Sequence, residues 1–185
     1  MIQNAAMLWK NLKEHLKTIN QHKLMVLEHC FKCGLYKQGL LHDLSKYSPS
    51  EFIPGVIYFQ GDRSPNSAQR EIEGCSKAWL HHKGRNKHHF EYWIDYTVNK
   101  EDGLVGMPMP VNYVVEMFCD RVAACKTYNK ENYKDSDALE YFLRGQGHYV
   151  MHKDVEELLH RLLKILSIKG EEYTFMYIRK KVLKK

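Results

Sequence analysis

A histidine and an aspartate stand side by side at His42-Asp43, after the apolar run Gly39-Leu40-Leu41 and before Leu44-Ser45-Lys46. An imidazole and a carboxylate at a buried helix end cost free energy unless they are paired or bound to metal. A carboxylate has two oxygens and can bridge two cations, and imidazole suits zinc, iron, nickel or manganese. Alone the dipeptide is common, and a hydrogen-bonded core histidine explains it as well. Its company shifts the balance. His15, His22 and His29 recur every seven residues and so share roughly one helix face. Residues 80–89 place His81, His82, His88 and His89 around Gly84. Asp120 falls close to the Val114 and Phe118 side of an otherwise apolar helical stripe, a poor place for a carboxylate without a partner. An exposed histidine heptad, a basic loop and an Asp–Arg pair would each explain one piece. Taken together they point to a metal-binding cluster.

The elements that must carry these residues are helical. Leu8, Leu12, Leu16 and Ile19 form one stripe, which continues through Met25, Val26 and Cys30 and stops at Gly34. A short segment, 38–46, follows. Ser48-Pro49-Ser50-Glu51 has the form of a capping box, with Glu51 as its acid, and predicts a helix to about Gln60. After a turn-rich loop at 61–66, a helix is expected from Ser67 to His82, ended by Gly84, with another from His88. The longest irregular stretch is 100–110. Beyond it Val111, Val114, Val115, Phe118 and Val122 form a strong stripe, and Leu158, Leu159, Leu162, Leu163 and Leu166 form the clearest amphipathic set. A weak strand pattern at 173–178 is the sole exception. The expectation is an all-α single domain.

The chain has 185 residues, enough for one domain that needs no disulfide or metal merely to fold. Its 44% hydrophobic and 27% charged residues exclude disorder, collagen and a coiled-coil rod. No apolar run approaches the length of about 20 residues that spans a bilayer, so no membrane partner is expected. No secretory signal is recognisable in residues 1–10, and five cysteines read as reduced thiols of a cytoplasmic protein. Cys30-x-x-Cys33, lacking a second pair, reads as core. Trp79, Tyr92 and Trp93 also read as core, and His148, His152 and His160 as solvated. A net charge of +6 suits an anionic substrate or nucleic acid. The basic tail, Arg179-Lys180-Lys181 and Lys184-Lys185, fits either nucleic-acid contact or a helix end that complements its own dipole.

The order His22, His42-Asp43, Asp120 resembles the signature of the HD-domain superfamily of metal-dependent phosphohydrolases. His42-Asp43-Leu44-Ser45-Lys46 is similar to that superfamily's HD-hydrophobic-[Gly/Ser]-Lys form. More narrowly, His22-Lys23, HDLSKYSPSEF and His82-x-x-Arg85-Asn86-x-His88-His89 with Tyr92-Trp93 resemble a small bacterial and phage family of HD-like proteins of unknown function. The resemblance covers about residues 15–125; the helices expected at about 130–185 extend it without a shared motif. The spacing from His22 to His42 is shorter than is usual in the superfamily, and His15 is the alternative first histidine.

The resemblance implies an HD-like helical domain in which His22, His42, Asp43 and Asp120 bind one cation. His82 with His88 or His89 would bind a second, and Asp43 would bridge. It implies one or two divalent ions (Mn, Fe, Co, Ni or Zn, with Mg also open). Lys46 follows His42 by four residues, sharing its face on a continued helix, and would neutralise a phosphate oxygen. Arg85 and Lys87 would bind substrate in the same way. The expected activity is hydrolysis of a nucleotide or other small phosphorylated substrate by metal-activated water, with Asp43 and Lys46 at the catalytic centre. A di-iron oxygenase of the same type, or a non-catalytic relative that binds metal or ligand, stays open as the alternative.

Overall fold

The computed structural model describes residues 4–99, 101 and 103–185. The other positions, which include parts of the N-terminal stretch and of the irregular segment 100–110, lie outside the described residues. Helix α1 (Ala5–Cys33) begins where the Asn4 side chain accepts from the Met7 N–H at 2.8 Å. It stops at Gly34, whose φ of 80° suits glycine and whose N–H donates to Phe31 O. The buried face of α1 carries His15, Ile19, His22, Val26, His29, Cys30 and Cys33, so the seven-residue histidine spacing is an inward stripe.

That face packs on α6 (Val111–Asn129) and α8 (Lys153–Tyr177). The core forms where Val114, Val115, Phe118 and Val122 meet Leu159, Leu162, Leu163 and Leu166. Cys30, Cys33 and Cys119 lie inside it as free thiols, as the core reading of Cys30-x-x-Cys33 requires. Helix α2 (Tyr36–Leu41) folds back along α1 at Gly39, where a side chain would meet Cys30 Cβ at 3.0 Å. A 3₁₀ turn (Leu44–Tyr47) leads to α3 (Pro49–Ile57), α4 (Pro65–Glu73) and α5 (Lys77–Lys83). A second 3₁₀ turn (Phe90–Trp93) precedes the antiparallel hairpin β1 (Ile94–Tyr96) and β2 (Leu104–Gly106), with Asp95 opposite Val105. After α6 come α7 (Asp137–Gly145), α8 and a π-helical turn (Ile178–Val182). The fold is all-α, and this hairpin is the one sheet among the described residues. None of the described helices is long and apolar enough to cross a membrane.

Several boundaries differ from those read in the sequence. The expected helix 67–82 is two helices. Gly74, with φ 76°, ends α4 on Arg70 O, and Ser76 caps α5 by accepting from the Trp79 N–H. Helix α3 ends at Ile57 rather than near Gln60. No α-helix starts at His88, because the chain turns through Phe90–Trp93 into the hairpin, while 173–178 is helical rather than extended. Tyr92 is exposed, with Lys87 over its ring, and is not core. Of the three C-terminal histidines only His148 is exposed. His152 caps α8 by accepting from the Asp154 N–H, and His160 stacks on Phe142.

Candidate metal centre

Helix α2 breaks at His42 (φ −52°, ψ 128°), and Asp43 takes the left-handed conformation (φ 52°, ψ 28°). Aspartate tolerates that conformation better than most residues, and the break turns both side chains inward. Lys23, next to His22 on α1, clamps the broken end: its ammonium donates to His42 O at 2.6 Å and Leu40 O at 3.2 Å. The continued helix expected through Lys46 is therefore absent. Lys46 instead returns through the 3₁₀ turn, its N–H on Asp43 O and its Nζ 2.7 Å from Asp43 Oδ2.

Two groups of donors meet at Asp43. In the first, His22 Nε2 lies 2.9 Å from Asp120 Oδ1, and His42 Nε2 lies 3.4 Å from the same oxygen and 3.3 Å from Asp43 Oδ2. In the second, Asp43 Oδ1 lies 3.3 Å from His82 Nε2 and 3.4 Å from His88 Nε2, with the His89 ring 4.2 Å from that of His88. Within each group the candidate donor atoms all fall within 4.8 Å of one another. All seven residues expected as ligands are thus brought together, in the two expected sets, with one aspartate oxygen turned to each.

The fit to cations rests on what these atoms lack. His42 Nε2, Asp43 Oδ1, His88 Nε2 and His89 Nε2 are buried without a hydrogen-bond partner. The Asp43 oxygens stand 3.3–3.4 Å from Nε2 of His42, His82 and His88. Ligands held about 2.1 Å from one ion stand about 3.0 Å apart in an octahedron and about 3.4 Å apart in a tetrahedron. The outward nitrogens are satisfied by carboxylates. Glu116 Oε1 lies 3.0 Å from His42 Nδ1 and 3.1 Å from His88 Nδ1, and Glu51 Oε2 lies 2.7 Å from His82 Nδ1. A carboxylate behind Nδ1 selects the tautomer that leaves Nε2 as a lone-pair donor, the usual support of a metal-bound histidine.

Glu51 is consequently not a capping residue. Ser48 makes no side-chain cap bond, and Glu51 is drawn into the interior by His81 and His82 of α5, both of which it binds. Asn86 adds a further tie, donating to Ser45 Oγ and to His82 O, each at 2.8 Å. His15 and His29 stay outside the cluster. A heptad advances about 10 Å along a helix, which carries His15 to Phe52, Phe59 and Gly55 and His29 to Cys119 O and Phe175. His22 is the histidine of α1 that joins the site.

Electrostatics follow the same plan. Burial opposes the charged form of Asp43 and of Asp120, but His42 and Lys46 beside the first, and His22 and His42 beside the second, hold both carboxyls well below their usual range. Burial likewise opposes charge on His42, but Asp43, Asp120 and Glu116 outweigh it and raise its pKa, so a cation would bind there by displacing the Nε2 proton. Burial, with His88 and His82 beside it, keeps His89 neutral, the form that ligates. Of the buried or nearly buried carboxylates Asp43, Asp120, Glu116 and Glu51, Asp43 is the one ion-paired to a lysine ammonium, that of Lys46, among the described residues.

Residues 11–165, most of the chain and every residue of the cluster, match a family model described as "Family of unknown function (DUF5662)". The chain belongs to that family. No curated protein and no solved structure matches it.

In this DUF5662 chain the cluster opens into a cavity of about 720 Å³. Asp43, Lys46, His82, His89 and Asp120 line one part of it; elsewhere its lining mixes Arg63, Arg70, Arg121 and Arg144 with Asp62, Glu91, Asp137 and Glu140. Arg85 and Lys87, expected at the substrate, do not line it. Asn86 and His88, which alternate with them, are buried, which leaves Arg85 and Lys87 exposed on the other side of the turn. Glu116, Glu51, Lys23 and Asn86 were not expected at the site. The i, i+4 spacing of Glu116 and Asp120 in an apolar stripe is the signal that marks the first of them.

Proposed function

We propose that this protein is a metal-dependent phosphohydrolase of the HD type, acting on a small phosphorylated substrate. The observation that carries the reading is the posture of Asp43, which turns Oδ2 to His42 and Oδ1 to His82 and His88. Two divalent cations, when bound there, supply a lowered water pKa and positive charge for the attacking and leaving oxygens of an in-line displacement.

The chain's own residues do the rest. His22, His42, Asp43 and Asp120 would hold one ion; His82, His88 and His89 with Asp43 would hold the other. Glu116 and Glu51 fix the rings, so the site needs no rearrangement when substrate arrives. Lys46 lines the cavity with its ammonium beside Asp43, where it neutralises an oxygen of an incoming phosphate. Exposed, free Cys75 suits a reducing, cytoplasmic setting.

Five imidazoles with two aspartates also form a donor set that suits two irons, so oxygen-dependent oxidation is the competing reading. Metal analysis of protein purified without added metal, followed by a phosphate-ester screen with Mn, Co, Ni, Mg and Fe(II), separates them. Bound transition metal and hydrolysis of an aryl phosphate are expected. Metal-loaded protein that cleaves no ester but consumes oxygen would replace the hydrolase reading, and protein that binds no metal would end both.

A further inference from the structure

Arg121 follows Asp120 on α6, so the two side chains leave the helix about 100° apart. Asp120 turns to His22 and His42. Arg121 lines the neighbouring wall of the same cavity. Its guanidinium carbon lies 5.6 Å from the Tyr149 ring centroid and 6.0 Å from those of Tyr141 and Phe142. Three rings around one cation fix where it sits and leave the in-plane N–H edge for another partner. Tyr149 is itself seated against Gly145, where any side chain would overlap its phenol, and it stacks on Phe142.

Among the described residues that other partner is missing. Arg121 Nη1 is buried and has no hydrogen-bond acceptor. Among the described residues no carboxylate stands within ion-pair distance of it, whereas Arg63 on the same cavity is held by both oxygens of Glu71. Glu91, a carboxyl lining the cavity, keeps an unpartnered oxygen of its own, so the two do not satisfy each other. A buried guanidinium N–H is costly to leave unmade, and a planar fork with a free edge matches the oxygens of a phosphate or carboxylate.

We propose that Arg121 anchors a second anionic group of the substrate, so that the cavity selects small molecules carrying a phosphate at the Asp43 end and a further phosphate or carboxylate at the Arg121 end. The assignment of the first phosphate rests on the phosphohydrolase reading; the Arg121 anchor stands on its own geometry. Arg70, over the Trp79 ring, and Arg144, over the Tyr141 ring, line the same cavity, as do the carboxyls of Asp62, Glu91, Asp137 and Glu140, so the anchor is the Arg121 fork itself and not a general positive field.

Calorimetric titration of Mn-loaded protein with hydrolysis-resistant probes tests this without turnover. The probes are alkane-α,ω-bisphosphonates and ω-phosphonocarboxylates of increasing chain length, each against the alkyl monophosphonate of the same length. At the matching length the dianionic probe is expected to bind at least about ten-fold more tightly than its mono-anionic partner. The bisphosphonate and phosphonocarboxylate arms show which second group is preferred. In Arg121→Gln the ratio should fall to near one. If that variant does not fold, by circular dichroism, Arg121→Lys keeps the charge without the fork and should lower the ratio several-fold. A ratio near one at every length in the parent protein, or a ratio unchanged in the variant that folds, overturns the anchor. Failure of the metal reading shows up separately, as mono-anion binding that is indifferent to chelation of the manganese.

Discussion

Glu116 holds His42 by the ring nitrogen that faces away from Asp43, with Oε1 3.0 Å from Nδ1. The same oxygen lies 3.1 Å from His88 Nδ1, and the two rings stand 4.4 Å apart by their centroids. One carboxylate therefore orients a donor from each half of the cluster. Glu116→Gln keeps the shape but offers a single carbonyl lone-pair acceptor in place of an anion, so it should weaken metal binding about ten- to a hundred-fold. Competition against a chelator of known affinity measures this. Unchanged affinity would mean that the packing of α6 alone positions the rings.

Asp43 is the residue both halves share. Asp43→Ala should strip most of the bound metal while far-UV circular dichroism stays nearly constant, because the α1–α6–α8 core does not involve it. Stoichiometric metal in that variant would sink the assignment of the centre.

Lys46 should act on substrate and not on metal. An ammonium has no lone pair to offer a cation, and its removal leaves the Asp43 carboxylate freer to ligate. Lys46→Gln is expected to retain full metal content and to lose about a hundred-fold in kcat on an aryl phosphate. Lost metal in this variant would make Lys46 a structural counter-charge.

The acid response of the fold is set in part by His15, outside the cluster. Burial, reinforced by the Lys46 ammonium, lowers its pKa to about 4. Between that value and the ordinary value of about 6.5, the unfolded chain takes up a proton that the native chain does not. Stability therefore falls as pH drops through this window. His15→Gln removes the titration, and between pH 7 and pH 4.5 it should lose less stability in urea than the parent, by about 1–2 kcal/mol. Equal losses would contradict the assignment.

How much of this was legible in the sequence follows from where the physical signals lie. The candidate ligands are polar residues in apolar or clustered settings, which is why His42-Asp43, Asp120 and the 80–89 histidines stand out as letters. The helices that carry them also show, because α1 and α8 bury one face each and α6 is apolar along most of its length. Glu51 does not stand out, since an acid on a helix is ordinary until the histidines it faces are known, and Glu116 shows only through its i, i+4 spacing to Asp120. Glu51 even imitates a capping box beside Ser48 and Pro49. Arg85 and Lys87 mislead in the opposite way: adjacency in sequence suggests a shared site, but alternate residues of an extended turn face opposite sides. Arg121 hides beside Asp120, where an Asp–Arg pair reads as a local ion pair, whereas the helix sends the two to different walls. The split at Gly74 and the short hairpin escape a periodicity reading because each element is under ten residues.

The central claim is a two-ion centre bridged by Asp43, and metal stoichiometry tests it most directly. His82 and His89 serve only the second donor group, so replacing both with Ala should leave the first intact. Inductively coupled plasma measurements on Mn-loaded protein, at equal protein concentration, should give close to two ions per chain for the parent and close to one for the double variant. A parent that binds a single ion, with the same content in the double variant, would contradict the account and make the histidine turn a part of the cavity wall rather than of the metal centre.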